Sequence, residues 1–219
     1  MIIAIYKPKG ITSHDAIDQV RRATGEKKVG HAGTLDPLAR GLLVIGIGKE
    51  FTKKLSEIVG KEKEYISTIK LGATSTTDDE EGDKEEVLCK EPAENEIKSA
   101  IDRFVGEILQ IPPAFSALKI KGERAYKIAR KGYTPEMKPR KVSVKSIELL
   151  EYKWPHLKLR VVTGPGVYIR SLARDIGEVL KTGGYLSDLE RVRIGEFTKE
   201  KSLSISEVEK VLIQNKDAK

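Results

Sequence analysis

Few side chains in this sequence stand where group-transfer or metal chemistry could be done, and most familiar arrangements fail on spacing. The run GLLVIGIGKE at 41–50 suggests a phosphate loop, but the Walker pattern needs a glycine where Leu43 stands, and the dinucleotide fingerprint breaks at Phe51. Ser116, in AFSAL, lacks the flanking glycines of a nucleophile elbow. Asp78, Asp79, Glu80 and Glu81 have no EF-hand spacing. One cysteine, Cys89, with His14, His31 and His156 does not make a structural zinc set, so no metal is expected. What remains is residues 30–41, GHAGTLDPLARG, where three glycines, Thr34 and the pair Asp36-Pro37 lie between strand-like segments. Such a loop has a heavily specified backbone, and on residue types alone Asp36 before Pro37 reads as a turn initiator.

Charge is distributed unevenly. The net charge is +7, yet residues 78–96 carry ten acids against two lysines, while residues 119–145 carry ten bases against two acids. A basic stripe beside an acidic excursion suggests a polyanionic partner, nucleic acid first, although a solvated Lys/Glu surface has the same composition. No apolar run approaches the length of a membrane span and no signal peptide is read at the N-terminus. With a single cysteine, the expectation is a cytoplasmic protein without disulfides and without a membrane partner. Two Asn and three Gln in a Lys/Glu-rich chain are the bias of heat-adapted proteins.

The elements that must position these residues follow from periodicity. β-Branched runs predict strands at 2–6, 42–47, 65–71, 142–150, 157–163 and 192–197. Helical spacing predicts helices at 14–23, 94–105 and 168–181, and a capping box, Ser204 with Glu207, starts another near 205. Ile169, Leu172, Ala173, Ile176, Val179 and Leu180 form the apolar stripe of the helix at 168–181, with Arg170 and Arg174 together on another face. Strands and helices intersperse without a βαβ rhythm, so the expected class is α+β with a mixed, largely antiparallel sheet flanked by helices. The 219 residues allow one large domain.

The motifs, taken in order, resemble the pseudouridine synthases of the tRNA-modifying TruB family. GHAGTLDP at 30–37 is similar to the family's catalytic loop GHxGTLDP, and KPKGITS at 7–13 to its KPxGxTS turn. Lys63-Glu64-Tyr65 looks like KxY; Leu71-Gly72 with Thr77, Asp79 and Gly82 tracks LGxxTDTxDxxG. QIPPAFSALKIKGERAYKIARKG at 110–132, GVYIRSLARDIG at 166–177, and Leu189, Arg191, Gly195 and Phe197 complete a series that spans nearly the whole chain. Thr76 departs from the family's Asp, Val167 from its Thr, and Glu190 from a frequent Arg; GKEFTK at 48–53 is one residue longer than GxATK. Family members commonly continue into a C-terminal PUA or PUA-like module. With 22 residues after Phe197, the expectation is one catalytic domain over 1–219, an excursion at about 78–96, and no such module.

The resemblance implies a fold of the pseudouridine synthase type and a set of roles. Pseudouridine forms when the bond from ribose to uracil nitrogen breaks, the base rotates, and ring carbon 5 is joined to the sugar, so no cofactor is implied. Asp36 matches the nucleophile, whether it attacks the uracil ring or the sugar. Arg170 matches the cation beside it, and Tyr65 the aromatic that stacks on uracil and whose hydroxyl can accept the carbon-5 proton. Tyr168 and Leu189 match pocket-lining positions, and His31 the residue that contacts RNA near the flipped base. Lys119, Lys121, Arg124, Lys127, Arg130 and Lys131, with Lys138, Arg140 and Lys141, are expected to bind phosphates. The motif set looks more like the stand-alone bacterial tRNA enzyme than the guide-RNA-dependent relatives, which implies the T-loop uridine of tRNA, position 55. A non-catalytic RNA-binding or RNA-folding protein, or the same chemistry on another RNA such as rRNA, are the alternatives.

Overall fold

The computed structural model describes residues 1–208 and 210. In chain order the elements are β1 (Ile2–Lys7), α1 (Ser13–Thr24), β2 (Val29–His31), β3 (Arg40–Ile47), α2 (Lys49–Val59), β4 (Lys63–Leu71), β5 (Ala73–Ser75), β6 (Lys84–Glu86), α3 (Glu94–Asp102) and β7 (Gly106–Gln110). They continue with β8 (Lys119–Ile120), β9 (Glu123–Arg124), α4 (Ala125–Arg130), β10 (Arg140–Lys153), β11 (His156–Thr163), α5 (Ile169–Val179), β12 (Gly184–Ile194) and β13 (Phe197–Thr198). The chain, expected as one domain, forms two compact units, Met1–Ile66 with Leu189–Lys219, and Ser67–Asp188; β4 and β12 have residues in both.

In the first unit β1 pairs antiparallel with β3, β2 lies against β3 for three residues, and β12 runs parallel to β3. β3 is apolar on both faces because both are covered. Leu43 and Ile45 pack with Ile5, Ala16, Ile17 and Val20, on the α1 side, while Leu42 and Val44 pack with Ala4, Leu55 and Ile58, on the α2 side. α1 starts where Thr12 and Asp15 form a reciprocal capping box and stops at Gly25 in the left-handed region. α2 escapes sequence reading because its apolar stripe is narrow: Leu55 and Ile58 are its buried residues, and Gly48 supplies no side-chain cap.

In the second unit the strand order is β12-β4-β11-β10-β7. β10 and β11 form a long antiparallel hairpin with register shifts after Val144 and Leu149, and β7 pairs with the start of β10. Leu157, Leu159 and Val161 alternate into the core, where α5 contributes Leu172, Ala173 and Ile176 and α3 contributes Ile97 and Ile101. The α+β class with a mixed, largely antiparallel sheet is thus the observed one.

Two boundaries differ from the sequence reading. The strand expected at 192–197 begins at Gly184 and ends at Ile194, and a turn at Gly195 (φ +53°) leads into β13. Buried charges at Glu190 and Arg191 break the apolar alternation and hide the first half of that strand. The helix expected to reach 105 closes at Asp102, ahead of Gly106 at φ +106°. The helix expected near 205 does begin there, with residues 205–208 helical and Ser204 donating to Glu207 at 2.6 Å; residues 209 and 211–219 lie outside the described residues.

Candidate active site

The loop between β2 and β3 is clamped from several sides of the first unit. The Ser13 hydroxyl, fully buried, donates to the Leu35 carbonyl at 2.9 Å and accepts the Leu35 N–H at 2.8 Å. Arg191, also buried, donates to the carbonyls of Leu42 (2.8 Å), Thr34 (3.4 Å) and Gly33 (3.1 Å), spanning the loop with one planar fork. Gly10 donates to the Pro37 carbonyl at 2.8 Å, and Ala39 to that of Asp36 at 3.1 Å, so Asp36-Pro37 does initiate a turn. Leu35 and Leu38 are buried on either side of this turn, and Asp36 itself is half-buried. Close approach of β3 to β12 requires Gly41: at φ +109°, a Cβ there would stand 2.3 Å from the Arg191 carbonyl oxygen.

Beneath this loop two ammonium groups are enclosed. Lys7 donates to the Pro8 and Ile11 carbonyls, and its pKa is lowered to about 8, chiefly by burial, with the charge of Asp36 acting in the opposite sense. Lys63 donates to the Val59 and Lys61 carbonyls and is likewise lowered to about 8 by burial and by Arg191. His31 closes β2 with its ring edge-on to His14, centroids 5.9 Å apart; burial, then the charges of His14 and Arg191, push its pKa down. Tyr65 and Leu189 are buried in the same unit, Tyr65 on the inward side of the alternating β4.

Arg170 and Tyr168 belong to the second unit. Arg170, expected on a different face from the apolar stripe, is buried too: it donates to the Phe115 carbonyl at 3.0 Å and the Thr77 carbonyl at 3.3 Å and lies 3.5 Å from the buried Asp79 carboxylate. One turn on, Arg174 pairs with Asp78 at 2.9 Å and donates to the Ile111 carbonyl at 2.9 Å. Burial raises the Asp78 pKa and outweighs the pull of Arg174. Residues 78–79 of the acidic stretch are therefore folded inward against two arginines of α5, while 84–86 pair with β5 and 94–96 open α3. Tyr168 is the N-cap residue of α5; its N–H donates to Gln110 Oε1 (2.8 Å) and its carbonyl accepts from Gln110 Nε2 (3.1 Å).

The basic stripe occupies a hairpin and a short helix. β8 and β9 join through Lys121 (φ +49°) and Gly122 (φ +90°), a tight turn of the kind that suits hairpin twist. Lys119, Lys121, Arg124, Lys127, Arg130 and Lys131 are all exposed. Lys131 is paired with Glu123 at 2.7 Å and Arg124 rests on the Ala117 carbonyl, so their charges are less available than those of Lys119, Lys121 and Lys127.

Sequence reasoning did not assign parts to Ser13, Gln110 and Arg191, although each fixes a site backbone. They lie inside the matched motifs, which was the available signal, but a serine, a glutamine and a strand arginine read as surface residues until their partners are known. Among the described residues no cluster of His, Cys, Asp and Glu is arranged to hold a metal ion, and no helix is long and apolar enough to cross a membrane.

Comparison with known proteins agrees with the motif order. The model of the TruB family pseudouridylate synthase N-terminal domain matches residues 21–169, and that of the tRNA pseudouridylate synthase B C-terminal domain matches residues 170–219. A tRNA pseudouridine synthase B of Parabacteroides distasonis is 43% identical over 98% of this chain and 94% of its own length. That of Clostridium novyi is 43% identical over 94% of this chain and 71% of its own. Among solved structures, a Cbf5 chain in a Cbf5-Nop10-Gar1 complex superposes on the whole chain with a TM-score of 0.76 at 28% identity, and this chain spans 56% of its length. With family models covering the sequence from residue 21 onward and relatives above 40% identity along most of their own length, the chain belongs to the TruB family of pseudouridylate synthases.

Proposed function

We propose that this chain, a tRNA pseudouridine synthase by family, isomerises the T-loop uridine at position 55 of tRNA with Asp36 as nucleophile, and does so in the cytoplasm. The observation that carries the reading is the clamped turn at Asp36: Ser13 and Arg191 fix the backbone before it, the Gly10 N–H holds the Pro37 carbonyl after it, and Asp36 itself is half-buried. A nucleophile held so needs little reorganisation when the uridine enters. Asp36 adds to the uracil ring or to C1′ and is released again; the C1′–N1 bond breaks, the freed uracil turns, C5 bonds to C1′, the proton on C5 leaves and N1 takes one up, so the product is an isomer of the substrate. By the motif match, Tyr65 stacks on the ring and its hydroxyl accepts the C5 proton, Arg170 is the cation of the reaction, and Tyr168 and Leu189 are pocket-lining positions. His31 contacts the RNA beside the flipped nucleotide, and the stripe from Lys119 to Lys131 holds phosphates of the T stem-loop.

The test is mass-spectrometric mapping of pseudouridine after the purified protein acts on unmodified tRNA and rRNA. Pseudouridine at position 55 alone supports the reading. Modification confined to rRNA moves the same chemistry to another substrate, and binding without any isomerisation leaves an RNA-binding protein.

A further inference from the structure

We propose that Tyr133 is a stacking platform for an unpaired base of the RNA on which the chain acts. The proposal rests on the proposed function and gives base-facing grip to a surface otherwise made of phosphate-binding cations. Tyr133 is 69% exposed, and its hydroxyl and ring make no hydrogen bond or ring contact among the described residues. Its backbone, by contrast, is held. α4 closes with Lys131 and Tyr133 donating to the Ile128 carbonyl, at 3.1 and 3.3 Å, and Gly132, at φ +83°, donating to that of Ala129 at 2.9 Å. An aromatic ring on a fixed backbone has two side-chain torsions left to order on binding, so contact area comes at low entropic cost.

The surroundings select the partner. From Arg130 to Lys141 there are five bases and one acid, Glu136. A polyanion is therefore favoured, and among polyanions only a nucleic acid also offers planar faces to a ring. The neighbouring Tyr126 is already occupied, with the Arg130 guanidinium 5.5 Å from its centroid, whereas the Tyr133 ring is open. Paired bases in an A-form stem are stacked among themselves, so the base that meets Tyr133 is an unpaired one in a loop or at an end.

Binding of a tRNA transcript is measured over a salt series for the wild type, Tyr133→Ala and Tyr133→Phe, with melting curves to confirm folding. Tyr133→Ala should weaken binding by roughly five- to a hundredfold, as loss of one stacked base does, with an unaltered salt slope because no phosphate contact is lost. Tyr133→Phe should bind within about twofold of wild type, since the π-face is kept. Tyr133→Trp should show indole quenching by RNA beyond that of Trp154, the tryptophan present in the wild type. Wild-type affinity in the Ala variant, equal losses in Ala and Phe, or a loss that comes with a shallower salt slope would each overturn the stacking role. Pseudouridine formation by the wild type is assayed in parallel: isomerisation with an indifferent Tyr133→Ala defeats the stacking contact alone, while Tyr133-dependent binding without isomerisation defeats the functional reading alone.

Discussion

Lys7 and Lys63 show how much of the site's support is invisible at the level of residue type. Each lysine is buried, donates to two backbone carbonyls and has a pKa near 8, below the ordinary 10.5. Between pH 8 and 10.5 the native state has released these protons and the unfolded chain has kept them, so stability should rise with pH across that window. Urea unfolding at pH 8 and pH 10 should show this rise, reduced in Lys7→Met and absent in Lys7→Met with Lys63→Met. A rise unchanged in the double variant would mean that other groups titrate. Arg191 offers a sharper case. Arg191→Met leaves the carbonyls of Gly33, Thr34 and Leu42 short of a buried donor, which should cost about 3 kcal/mol or more of unfolding free energy. Arg191→Lys should recover less than half of it, because one ammonium cannot span three carbonyls. Recovery by lysine would reduce Arg191 to a simple buried charge. Asp36 was legible because its loop motif survives intact; Arg191 was not, because a strand arginine looks solvent-facing until the strand is placed.

At the scale of elements, periodicity located those with a broad apolar face. α1, α5 and the β10–β11 hairpin bury residues at the spacing that their geometry demands, and they appear within a few residues of expectation. α2, β2 and β7 did not, being short or narrow-striped, and neither did the part of β12 before residue 192, where the buried Glu190 accepts from Tyr6 (3.1 Å) and pairs with Lys199 (2.5 Å). The acidic stretch reads as self-repelling in isolation; Arg170 and Arg174 neutralise its start, a pairing between residues about ninety apart that no local pattern reveals. For the hairpin and α4 the consequence is electrostatic. Lys127→Ala with Arg130→Ala should weaken tRNA binding and lower the salt slope by about one to two, through lost counterion release. An unaltered slope would make these charges a solvated surface.

Across the molecule, each unit has its own core, and beside isolated surface pairs such as Lys54–Glu50 and Lys98–Glu94 several charges are tied into networks. Arg193 bridges Glu62 and Glu64, Glu190 takes Lys199, Arg40 and Tyr6, and Arg174 takes Asp78 and Asp175. Such networks gain relative weight as temperature rises, in keeping with the scarcity of Asn and Gln. The thermal midpoint should lie above the roughly 45–65 °C of mesophile domains, and a melt inside that range would remove the heat-adaptation argument.

The central claim is that the Asp36 carboxylate carries the isomerisation, and single-turnover release of tritium from tRNA labelled at uridine carbon 5 tests it most directly. Asp36→Asn keeps size and most hydrogen bonding but removes the attacking charge. The wild type should release label from one uridine per tRNA. The folded Asn variant should stay at background while it binds tRNA within several-fold of wild type, because phosphate contacts dominate affinity. Wild-type tritium release from a verified, folded Asp36→Asn protein would contradict the account.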